Sequence, residues 1–201
     1  MIEITAEAVE RVEAILAGVP KGAERALSNA INRGISRVKT GAVKRVKEIY
    51  TVQTGAFNEA TRIRVNKAST GNLVGFVSFA GYKIPLYKFK VTPTAPGVKK
   101  QVRAAVMKGG MTPYEDAFIA QMGSGHIGVF ERTGAQGIAS RLARAKKPNK
   151  HTETIKEIPG LAAAQMVGNA KVIETLEEEA QQLVNQRLEN EIDRLLSGYG
   201  G

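Results

Sequence analysis

The chain has 201 residues and a mass of 21.6 kDa, enough for one domain or two small ones, and its 43% hydrophobic content excludes disorder of the whole. The absence of cysteine excludes a disulfide framework, a thiolate metal site and a cysteine nucleophile; two histidines, His126 and His151, exclude a His-rich metal site and leave a Ser-His-Asp triad only two candidate bases. The net charge of +10 is uneven: residues 1–20 carry −3, residues 151–201 carry −5, and residues 21–150 carry +18.

A segment that basic attracts polyanions, or the acidic ends of a neighbouring copy of the chain. The acid–base–acid layout favours the second in an assembly of identical subunits. The start of the chain carries Glu3, Glu7, Glu10 and Glu13, so it does not read as a secretory signal. No apolar run approaches the roughly 18 residues of a membrane span. The expectation is a protein made in a cytoplasm, with no membrane partner.

In chain order, Thr5 is a candidate N-cap, and Val9, Val12, Leu16 and Val19 recur at helical spacing up to Gly18 and Pro20. A long helix is predicted over 21–49. Its apolar stripe runs through Leu27, Ile31, Ile35, Val38 and Val46, and its opposite side carries Arg25, Arg33, Arg37, Lys44 and Lys47. Gly34 and Gly41 inside it would let another element pack closely. Residues 53–60 suit a helical turn or two. Strand-like runs follow at 62–65, 73–79, 87–91, 102–107, 118–122 and 129–133, separated by Gly and Pro. Residues 134–153 read as a loop carrying Arg141, Arg144, Lys146, Lys147 and Lys150, with Ile138 and Leu142 able to anchor one turn. So little apolar surface there is expected to be ordered by a partner. A short helix over 161–167 and an amphipathic helix from Asn169 to Leu196 close the chain.

Chemical motifs are sparse. Gly123, Gly125 and Gly128 match G-x-G-x-x-G, but a β-like run follows where a dinucleotide fold needs a helix, so a hairpin is expected. Ser124 beside His126 lacks a visible acid to orient the imidazole. Glu177, Glu178 and Glu179 fan around a helix surface rather than converge. No aromatic base-stacking pattern is present, which leaves backbone electrostatics as the route to nucleic acid.

The run SGHIGVFERTG, Ser124 to Gly134, is flanked by the turn Ala17 to Ala26 and by Ile155 to Gly160. Gln165 to Asn169 and a final helix with Leu188, Glu189, Glu191 and Leu195 follow. In these the chain resembles the prophage minor tail protein Z family of long-tailed, non-contractile phages, over most of its length. It departs from that pattern in the basic stretch Arg141–Lys150. The resemblance implies a structural tail-completion subunit, not an enzyme. It would form a ring, a hexamer, at the head-proximal end of the tail, between tail terminator, tail tube and head connector proteins, on the path of genomic DNA. It implies a virion protein assembled in a bacterial cytoplasm, with no cofactor, metal or catalytic residue.

The expected fold is therefore α+β in one domain, 1–201. It comprises two N-terminal helices within 1–50, an antiparallel sheet of five to six strands over 61–133, a basic loop over 134–160 and C-terminal helices over 161–197. Candidate partner or DNA contacts are Arg37, Lys44, Arg45, Lys47, Lys99, Lys100, Arg141, Arg144, Lys146 and Lys147. Gly125, His126, Gly128 and Gly134 are candidate structural positions of the hairpin. The alternative function is a free basic DNA-binding accessory protein.

Overall fold

Thr5 begins the regular structure as an N-cap, its hydroxyl accepting the Ala8 N–H at 3.3 Å, and Glu7 places an anion in the first turn of α1 (Ala6–Ile15). The computed structural model describes residues 4–137 and 152–198. Within them the fold is α+β, with a long second helix and a long C-terminal helix. The described residues fall into two compact units, where one domain is expected from the sequence. The first comprises 4–48, 61–81 and 163–198; the second comprises 49–60, 82–137 and 152–162.

The first unit is built on α2 (Gly22–Ile49) and the C-terminal helix α5 (Ala170–Leu196), which Asn169 caps by accepting the Lys171 N–H at 3.1 Å. Leu27 and Ala30 of α2 share a core with Val184, Leu188, Ile192 and Leu195 of α5 and with Val12 and Leu16. The helices run antiparallel: a Cβ on Gly34 would lie 2.6 Å from Val184, and one on Gly41 would lie 3.1 Å from Leu176. The two glycines thus admit α5, as their place inside the helix suggests. Hairpin strands β1 (Thr61–Asn66) and β2 (Phe76–Gly81) pair antiparallel. Asn32 of α2 pins their connection by exchanging two hydrogen bonds, both 2.9 Å, with the Ala68 backbone. The short helix α4 (Ala163–Val167) packs beside β2.

The second unit starts with α3 (Thr54–Ala60) and continues as strands β3 (Lys83–Pro85), β4 (Lys90–Thr92), β5 (Val102–Ala105), β6 (Thr112–Tyr114), β7 (Ala117–Gln121), β8 (Ile127–Gly137), β9 (Thr152–Glu157) and β10 (Pro159–Ala162). The antiparallel strands are divided among four small sheets instead of one of five to six: β1–β2 in the first unit, and β10–β3, β4–β5–β6 and β7–β8–β9 in the second. Pro85, Pro93 and Pro113 explain part of this, because proline removes a ladder donor and keeps strands short or at edges. Leu86, Val91, Val102, Ala104, Ile119 and Val129 form this unit's core.

Three boundaries differ from expectation. Residues 134–160 are not simply a loop: β8 continues to Gly137, and β9 and β10 occupy 152–157 and 159–162. The β-branched Thr152, Thr154 and Ile155 suit a strand, and β10 takes the first two residues of the helix expected at 161. The strand expected at 87–91 begins instead with a 3-10 turn, Leu86–Lys88. The strand expected from Leu73 starts at Phe76, just after Gly75, where a Cβ would meet Ile35 and the backbone of Asn66 and Ala68. Residues 138–151, and with them Arg141, Arg144, Lys146, Lys147 and the turn around Ile138 and Leu142, lie outside the described residues.

Candidate functional site: two basic surfaces and a glycine hairpin

Arg37, Gly41 and Arg45 recur every fourth residue on α2, so they share one face, and that face meets α5. Arg37 Nε lies 3.1 Å from Glu179 Oε2, and Arg45 pairs with the other oxygen of the same carboxylate. Arg45 also reaches Glu48 Oε1 at 2.6 Å, and its side chain is only 18% exposed. Arg37 and Arg45, expected as partner contacts, therefore each have an acid within the chain. The acid of the C-terminal helix, expected to meet a neighbouring copy, here meets the chain's own long helix. Arg11 of α1 pairs with Glu189 of α5 at 3.2 Å. Lys44 and Lys47, off this face, are exposed.

Further along α5, Glu191 is 1% exposed. It accepts from Asn29 Nδ2 at 3.1 Å and from Arg194 Nη2 at 2.7 Å, and Arg187 pairs with its other oxygen. Burial pushes its carboxyl up; the hydrogen bonds from Arg194 and Asn29, with the charges of Arg187 and Arg194, outweigh this and hold the pKa below its ordinary value. This carboxylate fixes α5 against α2. In sequence it is indistinguishable from the surface acids around it.

The second unit places its bases differently. Residues 82–114 contain seven lysines and arginines and no acid. In β4–β5–β6 the register pairs Val91 with Ala104 and Val102 with Tyr114, and these face the core. Alternation then puts Lys90, Thr92 and Arg103 on the opposite face. Lys90 and Arg103 are exposed, as are Lys99 and Lys100 in the connection entering β5. None of the four makes an ion pair among the described residues. Lys90 and Arg103 were missed as site residues in sequence; the period-2 alternation of buried Val91, Val102 and Ala104 was the signal that could have found them.

The glycine hairpin joins β7 to β8 through residues 122–126. Met122 N–H donates to the His126 carbonyl at 2.7 Å, and Gly125 N–H to the Met122 carbonyl at 2.9 Å. Gly125 has φ +86°, a conformation that costs an L-residue about 1–2 kcal/mol. Gly128 is needed for a different reason from Gly125. It lies in β8, where a Cβ would collide with the Glu157 carboxylate and sit 3.0 Å from the Phe130 ring. Gly134 lies inside β8.

An acid does orient His126: its Nε2 lies 2.8 Å from Oε1 of Glu157, 31 residues on in β9, within the stretch expected to be loop. Ser124 is exposed and makes no hydrogen bond among the described residues. Phe118 and Phe130 pack with centroids 6.2 Å apart, and the Arg132 guanidinium lies 5.3 Å over Phe118.

One further feature belongs to the first unit. An apolar groove of about 740 Å³ is lined by Ile31, Ile35, Val38, Phe76, Phe79 and Ile173, among others. Phe76 at its rim is 55% exposed. Among the described residues no cluster of three or more His, Asp or Glu could hold a metal ion, and no helix is long and apolar enough to cross a membrane. Compared with family models, curated proteins and solved structures, the chain gives no match.

Proposed function

We propose that the chain is a structural subunit of a phage tail. It would complete the tail at its head-proximal end as a ring, a hexamer, between terminator, tube and head connector proteins, where genomic DNA passes. The observation that carries this reading is the use made of the SGHIGVFERTG run. Its glycines serve a turn and a tight approach, His126 and Phe130 brace β9 and β7, and Arg132 covers Phe118. Those residues are spent on rigidity, and the one hydroxyl at the turn, Ser124, is bonded to none of them. The exposed apolar rim of the first unit also supports a protein that assembles, since contiguous exposed apolar surface marks interaction sites.

The test is the native mass of the purified chain, alone and mixed with tail terminator and head connector proteins. A closed ring, or a stable complex with either protein, is expected. A chain that stays monomeric in every mixture would sink the reading.

A further inference from the structure

We infer that the outward face of β4–β5, with the connection that enters β5, is a binding surface for the phosphate backbone of nucleic acid, contacted by Lys90, Arg103, Lys99 and Lys100. This goes beyond the tail reading, because it concerns the single chain whatever it assembles into.

Three observations carry it. The first is uncompensated charge. On α2 the arginines that face α5 are met by Glu179, whereas the stretch 82–114 has no acid of its own, the next being Glu115 and Asp116 after β6, and its four named cations have no ion pair among the described residues. The second is placement. Lys90 opposes Ala105, which is buried, and Arg103 opposes Thr92, which is exposed, so the two cations stand diagonally on one face of adjacent strands, about 7–8 Å apart at Cα. Lys99 and Lys100 lie in the connection, three and two residues before β5 begins at Val102. The third is chemistry. Protein interfaces deplete lysine and build on apolar or aromatic anchors, but Lys90, Thr92 and Arg103 offer none. Of the exposed large apolar residues of 82–114, Tyr82 and Met107 lie outside this surface, and Val98, in the connection beside Lys99, is the one within it. Phosphate contacts require only Lys and Arg, and no base-reading aromatic is needed.

The experiment uses the purified full chain and a mixed-sequence DNA duplex, with affinity followed by fluorescence anisotropy against salt and oligomer mass followed by sedimentation. Four contacts at about −0.9 each predict a log–log slope near −3.6, about a 150-fold loss of affinity between 50 and 200 mM salt, independent of sequence. The double variants Lys90→Gln/Arg103→Gln and Lys99→Gln/Lys100→Gln should each flatten the slope by about 2. All four side chains are exposed, so fold is preserved, which a thermal melt confirms. Lys44→Gln/Lys47→Gln should leave the slope unchanged.

Three results would overturn the inference. The first is no duplex binding at low salt. The second is a slope that survives both face variants and is lost when Arg141, Arg144, Lys146 and Lys147 become Gln. The third is face variants that alter oligomer mass while DNA affinity stays constant, which would assign the face to the acids of a second copy.

Discussion

Helix α2 and the β4–β5 face look alike in sequence, since both are runs of lysine and arginine within one +18 segment. In space they differ in what faces them. Arg37 and Arg45 of α2, eight residues apart, point at α5 and share the Glu179 carboxylate, while Lys90 and Arg103 point away from the core and make no ion pair among the described residues. Charge summed along a chain therefore misjudges charge presented to a partner. A helix face can be neutralised by an element 130 residues away, as Arg45 is by Glu179, which lies 134 residues on. A sheet face cannot be neutralised by its own alternation when its strands carry no acid.

The largest expected effect tests whether charge in the first unit is structural. Glu191→Leu removes the carboxylate that Arg187, Arg194 and Asn29 converge on, at a site 1% exposed. Breaking a buried ion network costs about 3–5 kcal/mol; because both arginines are partly exposed and can be rehydrated, about 3 kcal/mol is expected. Urea unfolding measures it, and a loss under 1 kcal/mol would show the network to be idle. The same group sets a pH dependence. Its folded pKa is depressed, so its contribution is full above the ordinary glutamate value near 4.3 and is lost as pH falls through the lower folded value. Glu191→Gln should flatten the difference in stability between about pH 5 and pH 3.

Next in size are the two tight glycines, one in each unit. Gly34→Val drives a side chain into Val184, and Gly128→Val drives one into Glu157 and Phe130. Overpacking of this kind costs about 1–3 kcal/mol. Hydrogen exchange should localise the loss to α2 and α5 in the first case and to β7, β8 and β9 in the second. Exchange of the two patterns, or no change in either, would contradict the contacts described.

Much of the architecture was legible because it rests on local rules. Thr5 and Asn169 cap helices as their side chains dictate, and the 3.6-residue stripes of α2 and α5 locate both helices to within one or two residues. Long-range pairing was not legible. Nothing near Glu157 announces His126, and nothing near Glu179 announces Arg45, because the sequence distance is closed only by the fold. The strands β9 and β10 follow directly on a basic run, and its charge masks the β-branched pattern of Thr152 to Glu157. The split into small sheets depended on prolines that read equally well as turn signals within one sheet.

Smaller still is the effect of freeing the arginines. Glu179→Gln removes the shared anion from Arg37 and Arg45. The pair with Arg37 is partly exposed and the one with Arg45 less so, and about 1 kcal/mol of stability should be lost. The informative readout is electrostatic. Arg37 becomes available to a polyanion, while Arg45 keeps Glu48, so the salt slope of duplex binding should steepen by about 1. If the slope is unchanged, cis neutralisation is not what separates α2 from the sheet face.

The smallest effect is expected at Ser124, and its neighbour makes it interpretable. Ser124 and Gly125 lie side by side in the turn between β7 and β8. Ser124 is exposed and makes no hydrogen bond among the described residues, while Gly125 holds φ +86° and donates its N–H to the Met122 carbonyl. Ser124→Ala removes a hydroxyl that supports nothing, so stability should change by less than about 0.5 kcal/mol. Gly125→Ala forces a Cβ into the left-handed region and should cost about 1–2 kcal/mol. Both variants should be followed by thermal melting and by incorporation into tails. If Ser124→Ala abolished incorporation or any activity while the melt stayed at the wild-type temperature, the hydroxyl would be acting on a partner or substrate. The hairpin would then be a chemical site served by the His126–Glu157 pair, and not the brace that its hydrogen bonds and ring contacts describe.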